Sequence, residues 1–107
     1  MTKYGKLVRD GIPDIIAKNG ETPVTRILSD DEYIAELLKK LVEEASECAA
    51  TNTSEALTAE LADLEEVILA LMAVTSIDPH EVEHQREHKV EERGGFQKRI
   101  FLENVTK

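Results

Sequence analysis

At 107 residues the chain is expected to form one domain over residues 1–107, and its formal charge of −9 argues against nucleic acid or an anionic membrane surface as a partner. Cys48 is the only cysteine, which excludes an intrachain disulfide and makes a reducing cytoplasm the expected compartment. The opening "MTKYGKLVRDGIP" lacks the continuous apolar segment of a secretory signal, and no stretch approaches the roughly twenty apolar residues of a membrane span.

In chain order, "DGIPDIIAKNG" predicts a short helix, with Pro13 early, Ile12, Ile15 and Ile16 on one side, and Asn19-Gly20 as a stop. Asp10 is expected to cap it or to pair with a cation. The β-branched "TPVTRIL", Thr22–Leu28, reads as extended. "SDDE" then sets Ser29 as an N-cap with Glu32 three residues on, a capping box. A first long helix is expected from about Asp30 to Ala50, with Ile34, Leu37, Leu38, Leu41, Ala45 and Cys48 on one face. "TNTSE" breaks it. A second long helix from about Glu55 to Thr75 carries Leu57, Leu61, Leu64, Ile68, Leu71 and Met72, and the short break makes the pair an antiparallel hairpin. Asp78, Pro79 and Glu81 restart the chain as a third, polar helix to about Arg93, with Glu81 expected to close a capping box. "RGG" ends it, and Phe96–Glu103 reads as a second extended segment able to pair with Thr22–Leu28. The expected fold is mainly α, a hairpin of two long helices plus a third.

The charges are unevenly placed. Every Lys and Arg lies in residues 1–40 or 86–107, whereas residues 41–85 carry acids alone. Like charges at helical spacing repel by about 0.2–0.5 kcal/mol per pair, and nothing inside that segment offsets the repulsion. At about 100° per residue, Glu43 points away from the apolar stripe, Glu44 sits at its edge, and Glu47 lies one turn on. On the second helix Glu60 falls inside the stripe and Asp63 borders it. The hairpin can therefore gather Glu44, Glu47, Glu60 and Asp63 at one edge of the helix–helix seam. An unpaired buried carboxylate is costly, and oxygen-only donors suit a hard cation, Mg²⁺ first and Mn²⁺ as a substitute. The bland alternative is a solvated acidic face, since acids at this spacing are common on exposed helices.

"EEASE" at 43–47, followed after twelve residues by "ELAD" at 60–63, resembles the EExxE…ExxD signature of the MazG-like all-α nucleotide pyrophosphohydrolases. "KLVRDGIPDII" and "KVEERGGFQKRIFLE" resemble their small stand-alone house-cleaning branch. The terminal motifs look less like the related phosphoribosyl-ATP pyrophosphohydrolases. The resemblance implies hydrolysis of a nucleoside triphosphate between the α- and β-phosphates, giving the monophosphate and pyrophosphate. It implies Glu44, Glu47, Glu60 and Asp63 as magnesium ligands. It also implies Glu43 in an outer role; Glu43 or Glu47 is then the base that takes the proton of the attacking water.

Phosphates need cations as well. Lys6 and Arg9 precede the first helix, and Lys89, Arg93 and Arg99 surround the Gly-Gly turn, so these five are the candidate phosphate-binding residues. Each alone also reads as an ordinary surface cation. The row His80, His84 and His88 has zinc-compatible spacing but lies on so polar a helix that solvation is the simpler reading. Cys48 reads as a small packing residue. Tyr33 and Phe101 read as packing residues, and nothing selects Tyr4 or Phe96 as a base-stacking group. The apolar edges of the hairpin call for a homodimer or homotetramer. The competing class is a non-catalytic acidic interaction module.

Overall fold

The computed structural model describes residues 5–107, so Tyr4 lies outside the described residues. Four helices follow one another: α1 (Ile12–Lys18), α2 (Asp30–Ala49), α3 (Ser54–Val74) and α4 (Pro79–Arg93). The chain divides into two compact units, the first closing at Ser76 and the second running from Ile77 to Lys107.

Local chemistry accounts for the helix ends. Ser29 caps α2 in both directions. Its hydroxyl accepts from the Glu32 backbone N–H at 3.3 Å, and the Glu32 carboxylate accepts from the Ser29 N–H at 3.2 Å. Arg26, in the extended stretch just before, reaches the same carboxylate through both terminal guanidinium nitrogens at 3.3 and 2.8 Å. Thr53 caps α3 by accepting from Ala56 N–H, one residue earlier than the expected start. Asp78 caps α4 by accepting from His80 N–H at 2.9 Å. No reciprocal bond from Glu81 accompanies it, so the expected box is a single cap. Asp10 does not cap α1; Gly11 holds that position without a side-chain bond. Gly20, at φ 87°, and Gly94, at φ 83°, take left-handed backbone after α1 and α4, where a side chain would be strained.

Among the described residues no strand forms. Thr22–Leu28 and Phe96–Glu103 are non-helical, but neither has a ladder partner. Arg99 N–H instead bonds back to the Phe96 carbonyl at 3.1 Å, and Arg99 sits at φ 58°, which interrupts the second segment with a turn.

In the first unit α2 packs against α3. Leu37 and Val67 border one cleft, as do Glu44 and Asp63, so positions rise on α2 as they fall on α3 and the pair is antiparallel. The core is slight. Leu37 and Val67, 3 % and 7 % exposed, are the buried residues, one from each helix at the middle of the seam. Leu38 and Val42 on α2, and Leu57, Leu61 and Ile68 on α3, remain partly exposed. With the seam as origin, helical geometry turns these five to one flank of the hairpin. The other flank carries Lys40, Glu47, Asp63 and Glu66. The hairpin thus has an apolar flank, partly exposed, and a charged one.

Arg26 first, then the backbone and hydroxyl of Ser29, hold the Glu32 carboxyl down at about 2, from an ordinary 4.5. A depressed carboxylate stabilises fully above its unfolded pKa and loses that contribution as pH falls through the folded one. Ser29→Ala should lower the urea-unfolding free energy by about 1 kcal/mol at neutral pH. Glu32→Gln should be less stable than the native chain above pH 4.5, and the two curves should converge as pH approaches 2.

Candidate metal centre

Glu44 and Glu47 lie three residues apart on α2, and Glu60 projects from the facing stretch of α3. One carboxylate oxygen from each falls within 4.8 Å of the others, the one group of at least three metal-capable side chains among the described residues. Glu44 and Glu60 are half-buried and Glu47 is exposed. One oxygen of Glu44 (Oε2) and one of Glu60 (Oε2) are shut away from water without any hydrogen-bond partner. Buried polar atoms in folded proteins are nearly always satisfied, so a facing pair of orphans marks a place where something positive belongs.

The electrostatics agree. Burial pushes the Glu44 and Glu60 carboxyls above the usual range, and the neighbouring Glu47 and the charge of Asp63 push them further. Lys40, one turn before Glu44 on α2, offsets part of that for Glu44. The half-buried Cys48 thiol is raised as well, by burial first and then by the fields of Glu60, Glu44, Asp63 and Glu47. One thiol that senses all four acids is a second sign of their convergence. A thiol so raised is a poor nucleophile, in keeping with its reading as a packing residue.

Asp63 stands beside the three Glu residues but outside their tight group. Its Oδ1 accepts a 2.7 Å hydrogen bond from an Arg9 guanidinium nitrogen, 54 residues away in sequence. Arg9 belongs to the stretch Leu7–Asp10, which borders a cleft of about 300 Å³ together with Tyr33, Lys40, Glu44 and Asp63. Glu43 is exposed on α2 and takes no part in the convergent group.

Of the candidate phosphate-binding cations, Arg9 therefore lies against the acids. Lys6 is exposed just ahead of it. Lys89, Arg93 and Arg99 belong to the second unit, all exposed. His80, His84 and His88 form no three-ligand group; His80 faces Asp78 at 3.2 Å and His88 faces Glu92 at 2.9 Å. The sequence reading found no cation near the acids. It missed Lys40, whose i, i+4 relation to Glu44 was legible, and the Arg9–Asp63 pair, which no local pattern announces. Tyr33, read as packing, also borders the cleft.

A family model for phosphoribosyl-ATP pyrophosphohydrolase matches residues 14–90. The chain belongs to this family. The phosphoribosyl-ATP pyrophosphohydrolase family is part of the MazG-like all-α group that the signature resembles, and its match takes in α2 and α3 with all four acids. The chain is also 55 % identical over 51 residues to an uncharacterized protein of Mycolicibacterium smegmatis (strain ATCC 700084 / mc(2)155), the aligned part covering 48 % of this chain and 52 % of that protein. The chain thus spans about half the length of that relative. No solved structure matches it. Among the described residues no helix is long and apolar enough to cross a membrane.

The raised carboxyls give a signed prediction. A carboxyl whose folded pKa lies above its unfolded 4.5 destabilises the fold once both states are ionised. Without divalent cation, the melting temperature should rise as pH falls through the raised folded values towards the unfolded 4.5, the reverse of the Glu32 effect at lower pH. Added Mg²⁺ or Mn²⁺ should raise it more at pH 8 than at pH 5. Equal metal responses at both pH values would contradict this account.

Proposed function

We propose that the protein hydrolyses a nucleoside triphosphate between its α- and β-phosphates, with Mg²⁺ held by Glu44, Glu47, Glu60 and Asp63. The observation that carries this reading is the pair of orphaned oxygens on Glu44 and Glu60, with Glu47 within 4.8 Å. Two carboxylate oxygens left unpaired beside further acids are unfavourable, and an oxygen-seeking dication offsets that. Mn²⁺ suits the same donors. Membership of a pyrophosphohydrolase family supports the choice of a phosphoric anhydride as the bond to be broken.

When bound, the cation neutralises phosphate oxygens and makes a coordinated water more acidic. The chain's own groups do the rest. Glu44 and Glu60 fix the cation from the buried side. Glu47, the solvent-exposed member of the group, takes the proton as the water oxygen bonds to phosphorus and the bridging oxygen departs with pyrophosphate. Its place in the group favours it over Glu43, which is left to orient water from outside. Arg9 grips the phosphates at the cleft, with Lys6 three residues before it as a further cation. The substrate we favour is a non-canonical nucleotide, in a house-cleaning role within the cytoplasm. We further propose that two or four copies assemble through Leu38, Val42, Leu57, Leu61 and Ile68, which a chain with so small a core leaves exposed.

One other substrate has specific support: the matching family is named for phosphoribosyl-ATP, which presents the same α–β bond. A non-catalytic acidic module accounts less well for the orphaned oxygens, because a surface that merely repels or binds basic partners keeps its carboxylates hydrated.

Pyrophosphate release should be measured with Mg²⁺ across canonical, deoxy and modified nucleoside triphosphates and phosphoribosyl-ATP. The expected result is turnover of at least one, lost on chelation. No release from any of them would sink the enzymatic reading. Glu60→Gln should cut turnover by at least about 100-fold, since even outer-shell partners of a metal cost 10–100-fold. The same change should hold or raise the metal-free melting temperature, because it removes one of several mutually repelling acids. Val42→Glu, at a position 67 % exposed in the single chain, should shift sedimentation towards the monomer. Unchanged sedimentation would place the contact elsewhere.

A further inference from the structure

Arg9 sits where a second cation would be expected to be unwelcome. Its carbonyl accepts from Ile12 N–H at 3.0 Å, tying the backbone to the first turn of α1, while its guanidinium reaches Asp63 on α3. The bond is a one-point contact, from a single terminal nitrogen to Oδ1, although a guanidinium can meet a carboxylate with two parallel bonds. Both side chains are about half open to water, at 58 % and 44 % exposed, so the pair is weakly held. Asp63 stands close enough to Glu44 and Glu60 for its charge to act on both. It is nevertheless absent from their tight group.

We propose that Arg9 is an exchangeable counter-ion: it holds Asp63 while the acidic group lacks a divalent cation, yields Asp63 to the cation, and is thereby released at the cleft to bind the substrate's phosphates. This deepens the function proposed above and rests on its reading of the acids as a cation site. A dication taken up by Asp63 stands within a few ångströms of the guanidinium, where two positive charges repel. A polyphosphate between them turns that repulsion into two attractions. Arg9 and the cation therefore oppose one another without phosphate and assist one another with it. By linkage, whatever the cation does to phosphate affinity, phosphate does to cation affinity. Arg9 is a positioning and binding group in this scheme. It would make phosphate capture conditional on a loaded site.

The sign reversal is the test. In a metal-only titration followed by electron paramagnetic resonance, Arg9→Gln should bind Mn²⁺ about 1.5- to 5-fold more tightly than the native chain, the range of an exposed ion pair. With Mn²⁺ present, the same variant should bind a triphosphate with a methylene α–β bridge at least about ten-fold more weakly, as for loss of a charged hydrogen bond. A residue that merely supports the fold would move both affinities the same way, and that outcome overturns the proposal. The native protein gives a second readout that needs no variant to fold. The Arg9 Nε–H resonance should shift on adding Mg²⁺ alone and shift again with the methylene analogue. A resonance indifferent to Mg²⁺, in a protein that binds it, overturns the exchange alone. A native chain that binds no Mn²⁺ or Mg²⁺ overturns both the exchange and the metal-dependent reading beneath it.

Discussion

The arrangement around the hairpin seam follows from a single conflict: two carboxylates, Glu44 and Glu60, face each other across α2 and α3 with an oxygen apiece sealed from water. Apolar contact alone would favour a leucine at either position, and replacing buried ionic groups by apolar ones of like size is often neutral or stabilising. The chain instead keeps both acids, surrounds them with Glu47 and Asp63, and brings Lys40 and Arg9 near them. Acids gathered at the hairpin seam repel one another, so the chemistry of the site and the stability of the hairpin become questions about the same few oxygens.

The seam also sorts the hairpin's two flanks. Residues turned one way from Leu37 and Val67 are Leu38, Val42, Leu57, Leu61 and Ile68; residues turned the other way are Lys40, Glu47, Asp63 and Glu66. The charged flank receives Leu7–Asp10 and so acquires a cleft, while the apolar flank keeps its side chains partly exposed. If the proposed self-association covers the apolar flank, the stabilisation it contributes is spatially separate from the acids. A hairpin with two well-buried side chains can then retain an unfavourable charge cluster, because packing gained on one side offsets electrostatic cost on the other.

Most of the helical skeleton was legible because its signals are local. The 3.6-residue stripe, the Ser29–Glu32 box and Asp78-Pro79 all act within a turn or two, and the observed ends fall within a residue of the expected ones. The convergence of Glu44, Glu47 and Glu60 was also legible, since a short break between two periodic helices leaves one antiparallel register. Failures came where the outcome depends on distant partners. Thr22–Leu28 has strand-like residues, yet a strand needs a neighbouring backbone to bond, and among the described residues no strand forms. Asp10, expected as a cap or a cation's partner, is not the cap, because the chain enters α1 through Gly11. The Arg9–Asp63 bond spans 54 positions, and no periodicity encodes a contact between a loop and a helix that far apart.

Asp63 shows why spacing alone under-determines such a site. Glu60 and Asp63 lie on α3 three residues apart, the same interval that separates Glu44 from Glu47 on α2, so a pattern reader treats the two pairs as equivalent. They are not. Aspartate is one methylene shorter than glutamate, and Asp63 faces the side from which the N-terminal segment approaches. The shorter reach keeps its oxygens back from the seam, and the approaching guanidinium then engages them from the cleft side. A glutamate at 63 would extend further towards the other three acids and leave Arg9 less to hold. The difference of one carbon thus divides four like charges into three that converge and one that is shared, and it is the shared one that ties the acidic seam to the only arginine at its rim among the described residues.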